Sequence, residues 1–250
     1  MAVFKKGNIS LHLDDVFSFL KNIKDNSIDL IITDPPYSGM NRHLKLGKGR
    51  IVGDYKNNET NEKWFKEFED SAENYGFFLN ECNRIMKDQS HIFIMFDSYS
   101  LISLSPIFRE IFDLKNIITW DKVNIGMGHY FRRRSEFILF GSKGKKNLSA
   151  RNIPDIWRIK RVHASRYPTE KPVELFEVMI KSSQAENKNL MVCDPFYGSG
   201  SSAIAAMRNN CNFIGTDISE KAFSIAKERL KNIENEAAQQ EIITSSFWER

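Results

Sequence analysis

With 250 residues, 41% of them hydrophobic and 27% charged, the chain has material for one full-sized core and does not have the composition of a disordered or fibrous protein. No apolar run approaches the roughly 18 residues of a membrane span. The opening Met1-Ala2-Val3-Phe4-Lys5-Lys6 lacks the apolar stretch of a secretory leader, so a cytoplasmic protein with no membrane partner is expected. The net charge is a mild +4, but from His129 to Lys171 twelve Lys and Arg residues stand against three acids.

Apolar runs and helical spacing alternate along the chain. Residues 9–13 read as a strand, 16–22 as a short helix, and 28–33 as a nearly continuous buried strand. The stretch 38–58 is polar, basic and glycine-rich. A loop of that length inside a folded domain usually has a binding task. Helical spacing returns over 61–87, followed by a strand at 91–96 and a helix at 101–112 that contains Pro106. Strands are expected at 116–120 and 136–140, then a basic, poorly patterned connection over 141–166. A helix at 172–181 with Pro172 in its first turn leads to a strand at 190–193, a helix at 201–209, a strand at 213–215, and a helix at 219–233 capped by Ser219. The tail from Glu234 is polar and ends near an aromatic pair, Phe247-Trp248. The widely separated Cys82, Cys193 and Cys211 read as reduced packing thiols, and no metal-ligand spacing occurs. This alternation predicts an α/β protein with a Rossmann-like, doubly wound, mostly parallel sheet and helices on both faces.

Two strand ends carry chemistry. The sequence "LMVCDPFYGSGSSAIAAM" is a strand, a glycine turn and a helix. Gly198 and Gly200 permit a tight turn and close approach of a ligand, and Ala203 supplies a third small position. Asp217 ends the next strand nineteen residues after Gly198, where nucleoside-binding folds place a carboxylate on the ribose hydroxyls. Dinucleotide cofactors put a diphosphate at such a turn. Asp194, at the end of the strand, would repel it, and would suit instead a nucleoside bearing an ammonium and a sulfonium and no phosphate. S-adenosylmethionine is such a molecule.

The other strand end is Asp34-Pro35-Pro36-Tyr37. An exocyclic amine on a nucleobase has its lone pair delocalised into the ring. It becomes a nucleophile when acceptors draw its hydrogens out of the plane. Asp34 can accept one N–H and the carbonyl of Pro35 the other, while Pro35 and Pro36 fix the backbone and offer no competing amide proton. Tyr37 offers a face on which a base taken out of its stack can rest.

"SIDLIITDPPY" together with "DPFYGSG" resembles the DNA amino-methyltransferases, which modify adenine N6 or cytosine N4. The order, with the catalytic tetrapeptide before the cofactor turn, is similar to that of their β class. "PTEKPVELFEVMI" and "SEFILFGSKG" resemble further segments of that class, so the resemblance covers most of the chain. It implies the class I methyltransferase fold in a single domain over 1–250. A catalytic half would span 1–140, a basic recognition segment about 141–167, and a cofactor-binding half 168–234.

The resemblance further implies S-adenosylmethionine as cofactor. Asp194, Phe196, Gly198, Ser199 and Gly200 would line it, with Asp217 on the ribose and Thr169 and Lys171 near the carboxylate. It also implies Asp15 against the adenine ring, although Asp14 stands where the family usually has Gly. Tyr167 replaces a frequent His, and Asp217 a frequent Glu. Basic segments flanking the site make DNA the expected partner, through Arg42, Lys45 and Lys48 in the long loop and Arg132, Arg133, Arg134, Arg158, Lys160 and Arg161 further on. Asp at the first tetrapeptide position favours adenine N6. Cytosine N4 is the alternative, and a non-catalytic DNA-binding subunit of a methylation complex is the alternative of another class. A homodimer and a cognate restriction endonuclease system are the further partners that the resemblance suggests.

Overall fold

The computed structural model describes residues 2–36, 72–126, 130–163, 165–167, 169–184 and 189–233. The strands are β1 (Ala2–Lys6), β2 (Ile9–Leu13), β3 (Ile28–Thr33), β4 (Met86–Phe96), β5 (Asp113–Asp121), β6 (Ser135–Lys143), β7 (Ile156–Arg158), β8 (Met191–Asp194) and β9 (Asn212–Asp217). The helices are α1 (Val16–Lys21), α2 (Ala72–Ile85), α3 (Ser98–Ile111), α4 (Val173–Ser183), α5 (Ser201–Arg208) and α6 (220–233).

Among the described residues the nine strands form one sheet in the order β1-β2-β9-β8-β3-β4-β6-β5-β7. From β2 to β4 the five neighbouring strands are parallel, which is the doubly wound centre that the alternation predicts. β6 inserts antiparallel between β4 and β5, and β1 adds an antiparallel edge. Alternate residues of the central strands supply the two sides of the core. Leu30, Ile32, Phe93 and Met95 pack with α4, α5 and α6, whereas Ile31, Ile92 and Ile94 pack with α1, α2 and α3. A register shift between Ile28 and Leu30 puts Ile28 with the second group. The three cysteines are buried and unpaired by disulfide. Among the described residues no helix is long and apolar enough to cross a membrane.

The structure differs from the expectations in several places. β1 was absent from the pattern, because its burial is confined to one partly covered face on an edge strand. β6 runs on to Lys143, so the strand continues into what reads as the start of the basic connection. Within that connection lies β7, three residues that pair with β5 through Trp157 opposite Trp120. A strand with one buried side chain and charged neighbours gives no alternation to read. Pro172 precedes α4 as its N-cap, one position before the first helical residue. Ser219 does cap α6, its Oγ accepting the amide of Ala222 at 3.3 Å. Residues 38–58 and the Phe247-Trp248 tail lie outside the described residues.

Candidate active site

The parallel strands deliver carboxylates to one edge. β2 is followed by Asp14 and Asp15, β3 by Asp34 and β4 by Asp97, while β8 and β9 end on Asp194 and Asp217. Open α/β sheets place their ligands at this carboxyl edge. β3 and β8 are direct neighbours, paired at Leu30–Val192 and Ile31–Cys193. The two motifs that stand some 160 residues apart in sequence therefore meet, and the Thr33 hydroxyl donates to Asp194 Oδ1 at 2.8 Å.

Asp194 is buried, and its own chain satisfies it. Beyond Thr33, the Phe196 amide donates to Oδ1 at 2.9 Å and the Ser202 hydroxyl to Oδ2 at 2.5 Å. Burial raises its carboxyl to about 7 against these hydrogen bonds. Its place is behind the turn as a brace, so the electrostatic choice of cofactor does not rest on Asp194 presenting a bare charge. The turn itself carries that choice. The amides of Phe196, Tyr197, Gly198 and Gly200 go to Asp194, the Thr216 carbonyl at 3.2 Å, Asp217 Oδ2 at 3.1 Å and the Tyr197 carbonyl at 2.8 Å. These donors are spent, and carboxylates stand beside them, which is unfavourable for a diphosphate and compatible with a cationic nucleoside.

The glycines are required for stated reasons. Gly198 (φ +52°) and Gly200 (φ +82°) occupy the left-handed region. A Cβ on Gly200 would sit 2.8 Å from the Ala226 Cβ, so the close approach made here is to α6. One on Gly198 would meet the Tyr167 ring at 3.2–3.4 Å. Ala203, on α5, is fully buried in the core.

Asp34 has different company. Its Oδ2 accepts from the Lys171 ammonium, which also lies 3.6 Å from Glu136 Oε2, and Glu136 Oε1 is 3.0 Å from Lys122. Asp34, Lys171, Glu136 and Lys122 thus form a chain of alternating charge across β3, the segment before α4, β6 and the end of β5. Burial would lower the Lys171 ammonium, but Asp34 and Glu136 outweigh it and hold it above its ordinary value. Burial would likewise raise the Glu136 carboxyl, and Lys171 with Lys122 hold it below its ordinary value. Lys171, expected near the cofactor carboxylate, is ion-paired with Asp34 of the tetrapeptide. Pro35 is buried and Pro36 half-buried beside it, while Tyr37 lies outside the described residues.

The remaining expected cofactor residues gather around the turn. Asp217 accepts the amides of Gly198 at 3.1 Å and Ser219 at 2.8 Å, and burial raises its carboxyl to about 6. Asp15 caps α1 by accepting the amides of Phe17 at 3.0 Å and Ser18 at 3.1 Å. Its neighbour Asp14 is joined to Asp217 through the backbone at 3.1 Å. Phe196 is half-buried with its ring 5.5 Å from that of Phe78. Thr169 is hydrogen-bonded to the Tyr167 hydroxyl.

Sequence reasoning missed three supports. Arg229 of α6 donates to the Ser199 carbonyl at 2.8 Å, and to the hydroxyls of Ser199 at 2.9 Å and Ser201 at 3.1 Å. It also pairs with Glu170 at 2.9 Å, tying the glycine turn to the segment that carries Lys171. Ser202 and Glu136 are the other two. On the sequence Arg229 and Glu136 read as solvated charges, and only their strand and helix partners distinguish them.

The basic candidates divide. Arg132, Arg133, Arg134, Arg158, Lys160 and Arg161 are all exposed. The β5–β7 pairing and the contact of Asn124 with His163 at 3.3 Å bring the two stretches side by side. Asp121 binds Arg134 through both oxygens at 2.6 Å and has Arg158 at 3.4 Å, so these two are partly neutralised. Arg42, Lys45 and Lys48 lie outside the described residues.

A family described as DNA methylase, comprising the N6 and N4 enzymes, matches residues 28–228. The chain belongs to that family. The match spans both strand-end motifs and the basic segment between them. Among its relatives, the type II methyltransferase M2.DpnII of Streptococcus pneumoniae is 29% identical over 93% of each chain. Among solved structures, the M1.HpyAVI complex with S-adenosylmethionine superposes with a TM-score of 0.62 at 23% identity, over 88% of this chain and 98% of the other. The cytosine-N4-specific PvuII DNA methyltransferase does so with a TM-score of 0.64 at 15% identity, over 92% and 93%. Those likenesses establish the fold of this methylase as that of the class I methyltransferases.

Proposed function

We propose that this DNA methylase transfers a methyl group from S-adenosylmethionine to adenine N6 in DNA, acting on a base turned out of its stack. The observation that carries the reading is the pairing of β3 with β8, which sets Asp34-Pro35 beside the glycine turn at one sheet edge. Bound there, the cofactor supplies an electrophilic methyl. The protein's part is to make the amine nucleophilic. Asp34 and the Pro35 carbonyl accept its two N–H groups, with Tyr37 as the stacking face. Lys171 engages Asp34 Oδ2 and holds the carboxylate in place beside the amine. The methylated nitrogen is cationic and acidic, so its proton passes to Asp34 or to solvent without a strong base.

In this reading the whole chain works as one domain, with the glycine turn, Asp217, Phe196 and Thr169 lining the cofactor, Asp15 close to its adenine, and the cations around β7 on DNA phosphates. A cytoplasmic setting, a cognate endonuclease and a homodimer belong to the same proposal. The test is expression in a host free of DNA methylation, with nucleoside analysis and sequencing of modified bases. N6-methyladenine at a fixed sequence is expected. N4-methylcytosine alone would reassign the base, and unmodified DNA after incubation with the purified protein and labelled cofactor would remove the reading.

A further inference from the structure

The chemistry above makes no use of the residues leading into β6, yet they carry the most exposed large apolar side chain among the described residues. Phe131 is fully exposed and Tyr130 is 90% exposed. Arg132, Arg133 and Arg134 follow at once. Isolated surface apolar residues need no explanation. Two consecutive aromatics followed by three arginines at the active edge of a sheet do.

The backbone that follows the two aromatics is held at Arg133 and Arg134. The Lys122 amide donates to the Arg134 carbonyl at 2.9 Å, the Gly126 amide to the Arg133 carbonyl at 2.7 Å, and Arg132 Nε to the Gly126 carbonyl at 2.8 Å. Arg134 closes the base of this connection on Asp121 through two hydrogen bonds of 2.6 Å. Phe131 therefore stands directly before a braced stretch, exposed to solvent. It stands five residues before Glu136, a span of at most about 18 Å. Glu136 lies 3.6 Å from the lysine that binds Asp34. Lys160 and Arg161 are exposed on the adjoining segment, so the surroundings are cationic.

A base withdrawn from a duplex leaves a gap lined by the faces of its neighbours, and apolar side chains inserted between base steps stabilise such openings. We propose that Phe131 is the wedge that enters the stack where the target base has left, with Arg132 and Arg133 on the flanking phosphates. This rests on the reading of DNA as substrate. It makes Phe131 a positioning residue, since it acts on the opened duplex and does not touch the reacting amine.

The test compares Phe131→Ala with the unaltered full chain on the recognition duplex identified from modified host DNA. A second duplex carries a mismatch opposite the target base, which weakens its stacking and pairing beforehand. The alanine variant should transfer at least about tenfold more slowly to the matched duplex and recover most of that loss on the mismatched one. Phe131→Trp should stay within about threefold of the unaltered chain on both duplexes. Cofactor affinity and Tm should not change, because the removed ring is solvent-exposed. A variant within about twofold on the matched duplex, or equally impaired on both, would overturn the wedge. Failure of the unaltered chain to methylate any DNA would instead remove the reading beneath it.

Discussion

Asp34 and Asp194 close neighbouring parallel strands within one hydrogen-bonded pair of motifs, but they are built for different tasks. Asp194 is 1% exposed, and both its oxygens are taken by hydroxyls and an amide of its own chain. Asp34 keeps 20% of its side chain exposed and is matched by a cation that a second carboxylate also holds. A carboxylate whose hydrogen bonds are all internal can brace a turn, whereas a partly exposed one can meet a substrate. The same residue type at the same sheet edge is enclosed or left partly exposed according to what surrounds it, and on the proposed function the exposed one is the reagent.

The sharpest way to break this distinction is Asp34→Ala. Transfer should fall by about a hundredfold or more, while cofactor affinity, measured by calorimetry, stays within about threefold. Lys171 keeps Glu136 in that variant, so the fold should survive. Near-normal turnover would mean that Asp34 is not the reagent.

Lys171→Met comes next, because it leaves Asp34 and Glu136 facing each other without their shared cation. Stability should fall by roughly 3 kcal/mol. A pH signature accompanies the loss. Glu136 is held below its ordinary value of 4.5, so its contribution is present above that pH and is lost as pH falls through the lowered value. In the variant the acid side of the stability curve below about 4.5 should be flatter, as read by urea midpoints.

The smallest effect is expected from Asp194→Asn. The Asp194 carboxyl titrates near 7 in the folded chain against 3.8 ordinarily. Between those values the folded state holds a proton that the unfolded chain has released, so this group's contribution to stability declines as pH rises through that window and is constant above it. Asparagine keeps the shape and removes the decline. Tm at pH 8 should rise by about 2–4 °C, with the difference between variants shrinking toward pH 4. A large loss of cofactor affinity with Tm intact would show that the Asp194 charge faces the ligand after all, whereas a fall in Tm at pH 8 would mean that the lost carboxylate hydrogen bonds outweigh the gain.

How far the sequence could be read depended on whether a signal was local. The strand 28–33, the strand read at 190–193 and found at 191–194, the glycine turn and the Ser219 cap of α6 follow from apolar runs, positive-φ glycines and short polar side chains, all of which act within a few residues. β7 escaped because its single buried side chain, Trp157, is covered by β5, thirty-seven residues earlier in the chain. Arg229 and Glu136 escaped for the same reason, since a charged residue on a helix face or strand end looks alike whether it meets water or a buried turn. Asp194 shows the limit most plainly. The sequence shows a carboxylate beside a glycine turn, but not that Thr33 and Ser202 enclose it.

The sequence by itself therefore determined the order of elements and the residue types at each strand end, because periodicity and turn chemistry are properties of adjacent residues. It also carried the resemblance to the amino-methyltransferases. Only the tertiary structure decided which carboxylate is enclosed and which is paired with Lys171, and that two basic stretches form one surface beside an exposed Phe131. Those outcomes depend on which strands lie side by side, and the pairing of β3 with β8 and of β5 with β7 is fixed by burial across the whole sheet.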